Sequence, residues 1–506
     1  MPKTIFGTSD KSNFILNLDL DRYRAFCVKL LLFVLWATAA AMGINQLTYS
    51  VNGKLADMVQ TGGFGGMLAS CLVGLRSVAM VFSIGGVLVM IATIVGLMRM
   101  QWTKRTAVLY CIIAASLAWA VYSYLHSFDY KTSLFGLDGR DEGWFALLMY
   151  GGFFFVGSMM RRKEYREKLL GGLMVFGIVQ CVWGLLQAQP FFAFPSEYRA
   201  LEPISCQEMR IPCGLTDSPI TFAMLLALLL AVSIPAAIFA EEPKRRILSM
   251  ICAGSSMLLV FKTQCVAGLI AGIGALLFGL ILWAVKHKQV QGKAFIAPAV
   301  LLGAAVLSFG WAFFSPAING SYRSSITLSD TSETPLENGY TLLDGGIIWD
   351  DSAYRLSTSG MYNKYTDQNF DINDPISALG YCWNEGLRVI GLYPLDGTGP
   401  DNFCYTQLHS SLILTENANN VDRPYNDLLF IAATRGIPSL VLHIALLGIT
   451  LVLAWKRRKQ QGGWAALGCG AAAVLYTLCS LVGISVLTVA PLFWTLLGTL
   501  ASEDNS

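Results

Sequence analysis

The string Val421-Asp422-Arg423-Pro424-Tyr425-Asn426-Asp427 brings a guanidinium, a phenol and an amide to the expected start of a helix. A helix N-terminus carries partial positive charge and free N–H donors, which suit an anion. Arg423 adds a planar, permanently charged fork that matches phosphate geometry. Interfacial anchoring accounts for the same string, since Arg and Tyr both favour the headgroup zone. Upstream, Gly397-Thr398-Gly399-Pro400-Asp401-Asn402-Phe403 reads as a turn. Its glycines permit φ > 0 and close approach of a ligand's oxygens to backbone N–H groups, although a plain turn is the commoner use of such a string. His409 is the only histidine of this stretch. It is either a proton acceptor or an ordinary surface histidine.

These residues lie in or next to a polar segment, about 315–430, of an otherwise apolar chain. Hydrophobic residues make up 54% and charged residues 14%, whereas soluble domains carry about a quarter charged residues. Apolar stretches long enough to cross a bilayer recur near 25–44, 76–98, 106–125, 143–160, 169–188, 219–240, 247–264, 266–285, 294–314, 437–455, 463–480 and 482–500. The expected fold class is therefore an all-α polytopic membrane protein of about twelve spans. Residues 1–314 hold nine of them, 315–430 form one large loop between spans nine and ten, and 431–506 hold the last three.

Basic residues orient the spans. With the N-terminus inside, the segments 1–24, 99–105, 161–168, 241–246, 286–293 and 456–459 are cytoplasmic and together carry 22 of the 36 Lys and Arg. Both termini then face the cytoplasm and the large loop faces outward. The N-terminus shows no cleavable signal pattern. Nucleic acid is excluded as a partner, because the basic residues sit in short clusters between apolar runs rather than on one face. No Asp or Glu falls in the middle of a span, which weighs against a proton-coupled transporter. No Cys/His spacing resembles a zinc site. Cys206 and Cys213 are close enough in sequence for an extracytoplasmic disulfide, and spacing leaves that open. Within the loop, residues 375–390 predict a helix with Leu379, Trp383, Leu387 and Ile390 on its apolar face, ended by Pro394.

Read together, the strings resemble the O-antigen ligase and polymerase superfamily of membrane glycosyltransferases. Trp383-Asn384-Glu385-Gly386-Leu387-Arg388 followed by Pro394-Leu395-Asp396-Gly397-Thr398-Gly399-Pro400-Asp401-Asn402-Phe403 is similar to the family's helix and its P-L-x-G-T-G-P-x-x-F turn. Asp422-Arg423-Pro424-Tyr425-Asn426 falls where the family has D-R-P-H-N, and Gly436-Ile437-Pro438 follows as in its G-I-P-G. Fainter resemblances are Gly139-Arg140-Asp141-Glu142-Gly143, Gly214-Leu215-Thr216-Asp217-Ser218-Pro219 and Val489-Ala490-Pro491-Leu492-Phe493-Trp494.

The resemblance implies metal-independent, cofactor-free transfer of a glycan at the outer face of a bacterial cytoplasmic membrane. The glycan comes from an undecaprenyl-diphosphate carrier and goes to a hydroxyl of a glycan or lipid acceptor. It implies diphosphate binding by Arg423 and Lys262, with Arg388, Arg140 and Arg210 as further cations, and an acceptor region at Tyr425 and Asn426. Gly397 and Gly399 form the substrate-side turn. This chain departs from the family pattern at three places. Tyr425 replaces the motif histidine, leaving His409 as a substitute. Ser377-Ala378-Leu379 lacks the arginine of the family's S-G-R, and Thr263-Gln264-Cys265 replaces its S-R-G. Three classes of function follow: a ligase or polymerase, a non-catalytic relative that binds lipid-linked glycan in an export complex, and a twelve-span transporter. The last expects a midplane polar site and a two-fold internal repeat, neither of which the sequence displays.

Overall fold

A computed structural model describes residues 19–48, 52–61, 63–99, 104–137, 141–189, 211–286, 296–314, 334–335, 341–342, 375–406, 423–457, 463–483 and 485–502. Among these residues the fold is all-helical apart from a two-residue antiparallel pairing of Thr334–Pro335 with Thr341–Leu342. Nine helices among the described residues are long and apolar enough to cross a membrane, making this a multi-pass membrane protein. They are α1 (Leu20–Thr48), α4 (Val78–Arg99), α5 (Lys104–Leu125), α8 (Lys163–Gln187), α9 (Pro219–Phe239), α10 (Pro243–Val260), α11 (Val266–Lys286), α14 (Asp427–Arg457) and α15 (Gly463–Ser480). Shorter helices are α2 (Asn52–Thr61), α3 (Gly63–Arg76), α6 (Tyr130–Phe135), α7 (Trp144–Ser158), α12 (Ile296–Phe314), α13 (Pro375–Leu392) and α16 (Ala490–Ala501).

Each of the twelve apolar stretches therefore contains a helix, but α7 and α16 are only 15 and 12 residues long. The expected span 482–500 needs the larger correction. Residues 481–483 and 485–489 are not helical, and α16 starts at Ala490. Irregular backbone at membrane depth is tolerated where protein or a cavity satisfies its polar groups, and the carbonyl of Ser485 meets that condition below. The two short helices pack side by side at unusually close range. A Cβ on Gly157 would lie 2.4 Å from the Thr495 carbonyl oxygen, and one on Gly498 would lie 2.0 Å from that of Phe154. Small residues at such crossings let backbones touch, which is how apolar helices associate where lipid offers no hydrophobic drive.

The core is built around α9. It is apolar on every side and 94% of its central window is buried, so it is the helix the others surround. Its start is fixed by Ser218, whose hydroxyl accepts from the Thr221 N–H while the Thr221 hydroxyl accepts from the Ser218 N–H. The preceding turn is fastened by glutamines from α1 and α8. Gln46 donates to the carbonyls of Gly214 and Thr216 at 3.0 Å, and Gln187 accepts from the Gly214 N–H at 2.7 Å.

Ion pairs sort the connections into two ends. Arg162–Asp21 at 2.8 Å and Arg245–Glu167 at 2.6 Å gather the starts of α1, α8 and α10 at one end. Glu142, at the other end of α7, meets Arg423 instead. Three of the six segments expected on one face therefore share one end of the bundle, and Glu142 and Arg423 lie at the other end of α7.

The loop helix forms as expected over Pro375–Leu392, but its buried stripe is shifted. Cys382, Gly386 and Val389 face inward and Leu387 is 56% exposed. Gly386 is the close-packed point, against Pro424 and Leu429.

Candidate functional site

Arg423 is the centre of the site. The residue is 1% exposed, and its side chain is the largest so deeply buried among the described residues. Nη1 donates to Glu142 Oε2 at 3.1 Å and to the Ser485 carbonyl at 2.9 Å, and Nη2 lies 3.5 Å from Asp401 Oδ1. The guanidinium also covers the Phe430 ring, 5.2 Å from its centroid. Arg423 thus joins the residues before α7, the turn after α13, the start of α14 and the turns before α16. Its partners are themselves held. Glu142 Oε1 accepts from the Tyr150 hydroxyl at 2.8 Å, and Asp401 Oδ2 accepts from the Leu137 N–H at 2.8 Å. Burial pushes the Glu142 carboxyl up to about 7 against the pull of Arg423.

The glycine turn holds this junction by capping. α14 is two helices merged across Gly436, which has φ +77. The carbonyls left open at the end of the first helix are met by the turn: the Thr398 N–H donates to Ala433 at 3.1 Å and the Gly399 N–H to Thr434 at 2.9 Å. The Gly397 N–H donates to Tyr393. These amides are therefore committed to backbone carbonyls, and the expected substrate-side role of Gly397 and Gly399 becomes a packing role. A Cβ at Gly397 would come within 2.4 Å of the Thr434 backbone.

Asn426 is the N-cap of α14, its Oδ1 accepting from the N–H groups of Leu428 and Leu429 at 3.1 and 3.2 Å. Tyr425 is 2% exposed and has φ +49, while Asp141 and Asp401 both have φ +57. Left-handed backbone at a non-glycine residue costs about 1–2 kcal/mol. Three of the four such residues among those described adjoin Arg423 or its partners, and this clustering of strain is typical of functional sites.

A cavity of ≈ 530 Å³, counting its open mouth, lies against this junction. Polar groups lining it are Glu142, Asp401, Asp427, Arg435, His443 and Ser485. Its apolar walls include Tyr150, Phe430, Tyr476, Phe493 and Trp494. Of the expected site residues, none of Arg423, Tyr425, Asn426, Arg388 or Lys262 is in the lining. Arg388 pairs with Glu385 at 2.9 Å, and Lys262 is buried over the Trp311 ring. His409, Arg140 and Arg210 lie outside the described residues, as does Cys206. Cys213 sits among the glutamines below the 213–216 turn. No group of three metal-ligating side chains occurs among the described residues.

Arg435 and His443 were not singled out in the sequence, although His443 lies inside the tenth expected span. A signal was present. Asp427, Arg435 and His443 place a charge or an imidazole at every eighth residue of an otherwise apolar helix, and ionisable residues at that depth must turn inward.

Comparison with protein-family models, with curated proteins and with solved structures finds no match.

Proposed function

We propose that this chain transfers a glycan from an undecaprenyl-diphosphate carrier to an acceptor hydroxyl, in the manner of the O-antigen ligases and polymerases. It does so as a twelve-span protein of a bacterial cytoplasmic membrane, with both termini inside and residues 315–430 outside. One observation carries the reading: strings quoted for the resemblance, spread from residue 142 to residue 494, meet at one cavity. Glu142 comes from the R-x-E-G-like string, Pro400 and Asp401 from the glycine turn, and Phe493 and Trp494 from the last one. Arg423 of the D-R-P-Y-N string ties the first two together. Asp217 of the string before α9 accepts from Thr488 at 2.8 Å, beside the turns that supply Ser485.

In this reaction the acceptor oxygen forms the new bond to the anomeric carbon, the carbon–oxygen bond to the diphosphate breaks, and the diphosphate leaves with the bonding pair. The acceptor proton passes to a base. Glu142, poised near neutrality, has the basicity that task needs. Purified protein incubated with radiolabelled lipid-linked oligosaccharide and cell-envelope acceptors is expected to yield transferred label. No transfer to any acceptor overturns the reading.

A second reading follows from Tyr425, a buried phenol where the family motif has its histidine. A non-catalytic relative would bind lipid-linked glycan for an export complex. There, loss of the 315–422 segment abolishes surface polysaccharide in cells while the purified protein transfers nothing.

A further inference from the structure

We propose that the cavity beside Arg423 receives an uncharged sugar ring and that the carrier's diphosphate lies outside it. The assignment deepens the transfer reading and rests on it for the identity of the ligand as a glycan. The charge of the lining decides against an anion. Three acidic side chains, Glu142, Asp401 and Asp427, face one guanidinium, Arg435, and one imidazole, His443. Beside the lining, Arg423 is already paired with two of those acidic groups. A diphosphate taken from water into this lining meets like charges at short range in a low-dielectric site.

A sugar ring has the opposite requirements. Its hydroxyls need acceptors and donors together, and its C–H faces need apolar walls. The carboxylate of Asp427 and the carbonyl of Ser485 accept, and Arg435 donates. The five rings supply the walls, and four of them are held by ring contacts: Trp494 stacks on Tyr150 at 6.3 Å and meets His443 edge-on at 5.9 Å, and Phe493 stacks on Tyr476 at 4.3 Å. Walls ordered before binding cost little to order on binding. A few polar groups fixed among apolar and aromatic walls are the usual make-up of a small-molecule site.

The test uses the full chain in nanodiscs of neutral lipid. Methyl β-glucoside, methyl β-galactoside and methyl N-acetyl-β-glucosaminide are followed by saturation-transfer NMR, and inorganic pyrophosphate by phosphorus NMR. At least one glycoside is expected to bind, undisplaced by pyrophosphate. Asp427→Asn, or His443→Gln if the first variant does not fold, weakens binding about tenfold or more. Lys168→Gln, in an exposed pair with Glu164, leaves it unchanged. Pyrophosphate binding that disappears in Arg435→Gln overturns the assignment, as does binding of none of the glycosides; either result leaves a measured transfer activity standing. Glycoside binding without any transfer overturns the transfer reading alone.

Discussion

Replacing Arg423 by Met tests whether the junction holds the outer end of the bundle together. The methionine fills much of the volume but leaves Glu142 and Asp401, 6% and 3% exposed, without their guanidinium, and frees the Ser485 carbonyl. Removing one partner of a buried ion pair costs about 3–5 kcal/mol. With an unfolding entropy of about 2.1 cal/mol/K per residue, a chain of 506 residues loses roughly 1 °C of melting temperature per kcal/mol, so the shift is ~3–5 °C. Cys181, Cys252, Cys469 and Cys479 are buried and report unfolding through a thiol-reactive fluorophore. Adding Glu142→Gln to Arg423→Met removes one of the two buried carboxyls left without their donor and should recover ~1.5 kcal/mol, the coupling expected of side chains in contact. A single variant that melts within ~1 °C of the parent, or a pair whose effects simply add, refutes the reasoning.

Two further outcomes follow from the same geometry. Gly436→Ala puts a Cβ 1.9 Å from the Leu395 carbonyl oxygen at φ +77, so the glycine turn must leave α14 and the yield of folded protein should collapse; a normal yield and melting temperature contradict the docked turn. Glu142 gives a pH signature: its carboxyl keeps its proton to about 7 when folded and loses it near the ordinary 4.5 when unfolded. The folded state then binds more protons between those values, so stability is highest below about 4.5 and declines by up to about 3 kcal/mol as pH rises to 7. Melting curves from pH 4 to 8 should show that decline in the parent and lack it in Glu142→Gln; equal slopes exclude the role.

Hydropathy made the helices legible, because a 20-residue apolar run has few other solutions in lipid. It failed where an apolar stretch is not helical. The expected span 482–500 reads as apolar from its first residue, yet residues 485–489 are not helical and present the Ser485 carbonyl to Arg423. Periodicity found the helix of Pro375–Leu392 and two residues of its inner face, Trp383 and Ile390, but missed that Gly386 packs against Pro424 and Leu429 while Leu387 points away. Arg423 was legible as a buried-anion partner by type, but its partners proved to be the protein's own carboxylates. No local pattern announces a pairing between residues 142 and 423. The cavity's Arg435 and His443 were hidden by their apolar neighbours, since hydropathy averages away single polar residues that a helix turns inward. Asn426 shows the reverse case, a residue read for chemistry that the helix start uses as a cap.

The central claim is that motifs scattered along the chain form one glycan-transfer site. Its most direct test is the stoichiometry of the leaving group, measured with purified protein, lipid-linked glycan and acceptor. The account predicts one undecaprenyl diphosphate released per glycan transferred, and loss of both products together in Asp427→Asn. Carrier diphosphate that is never released, or glycan transfer untouched by that substitution, contradicts it.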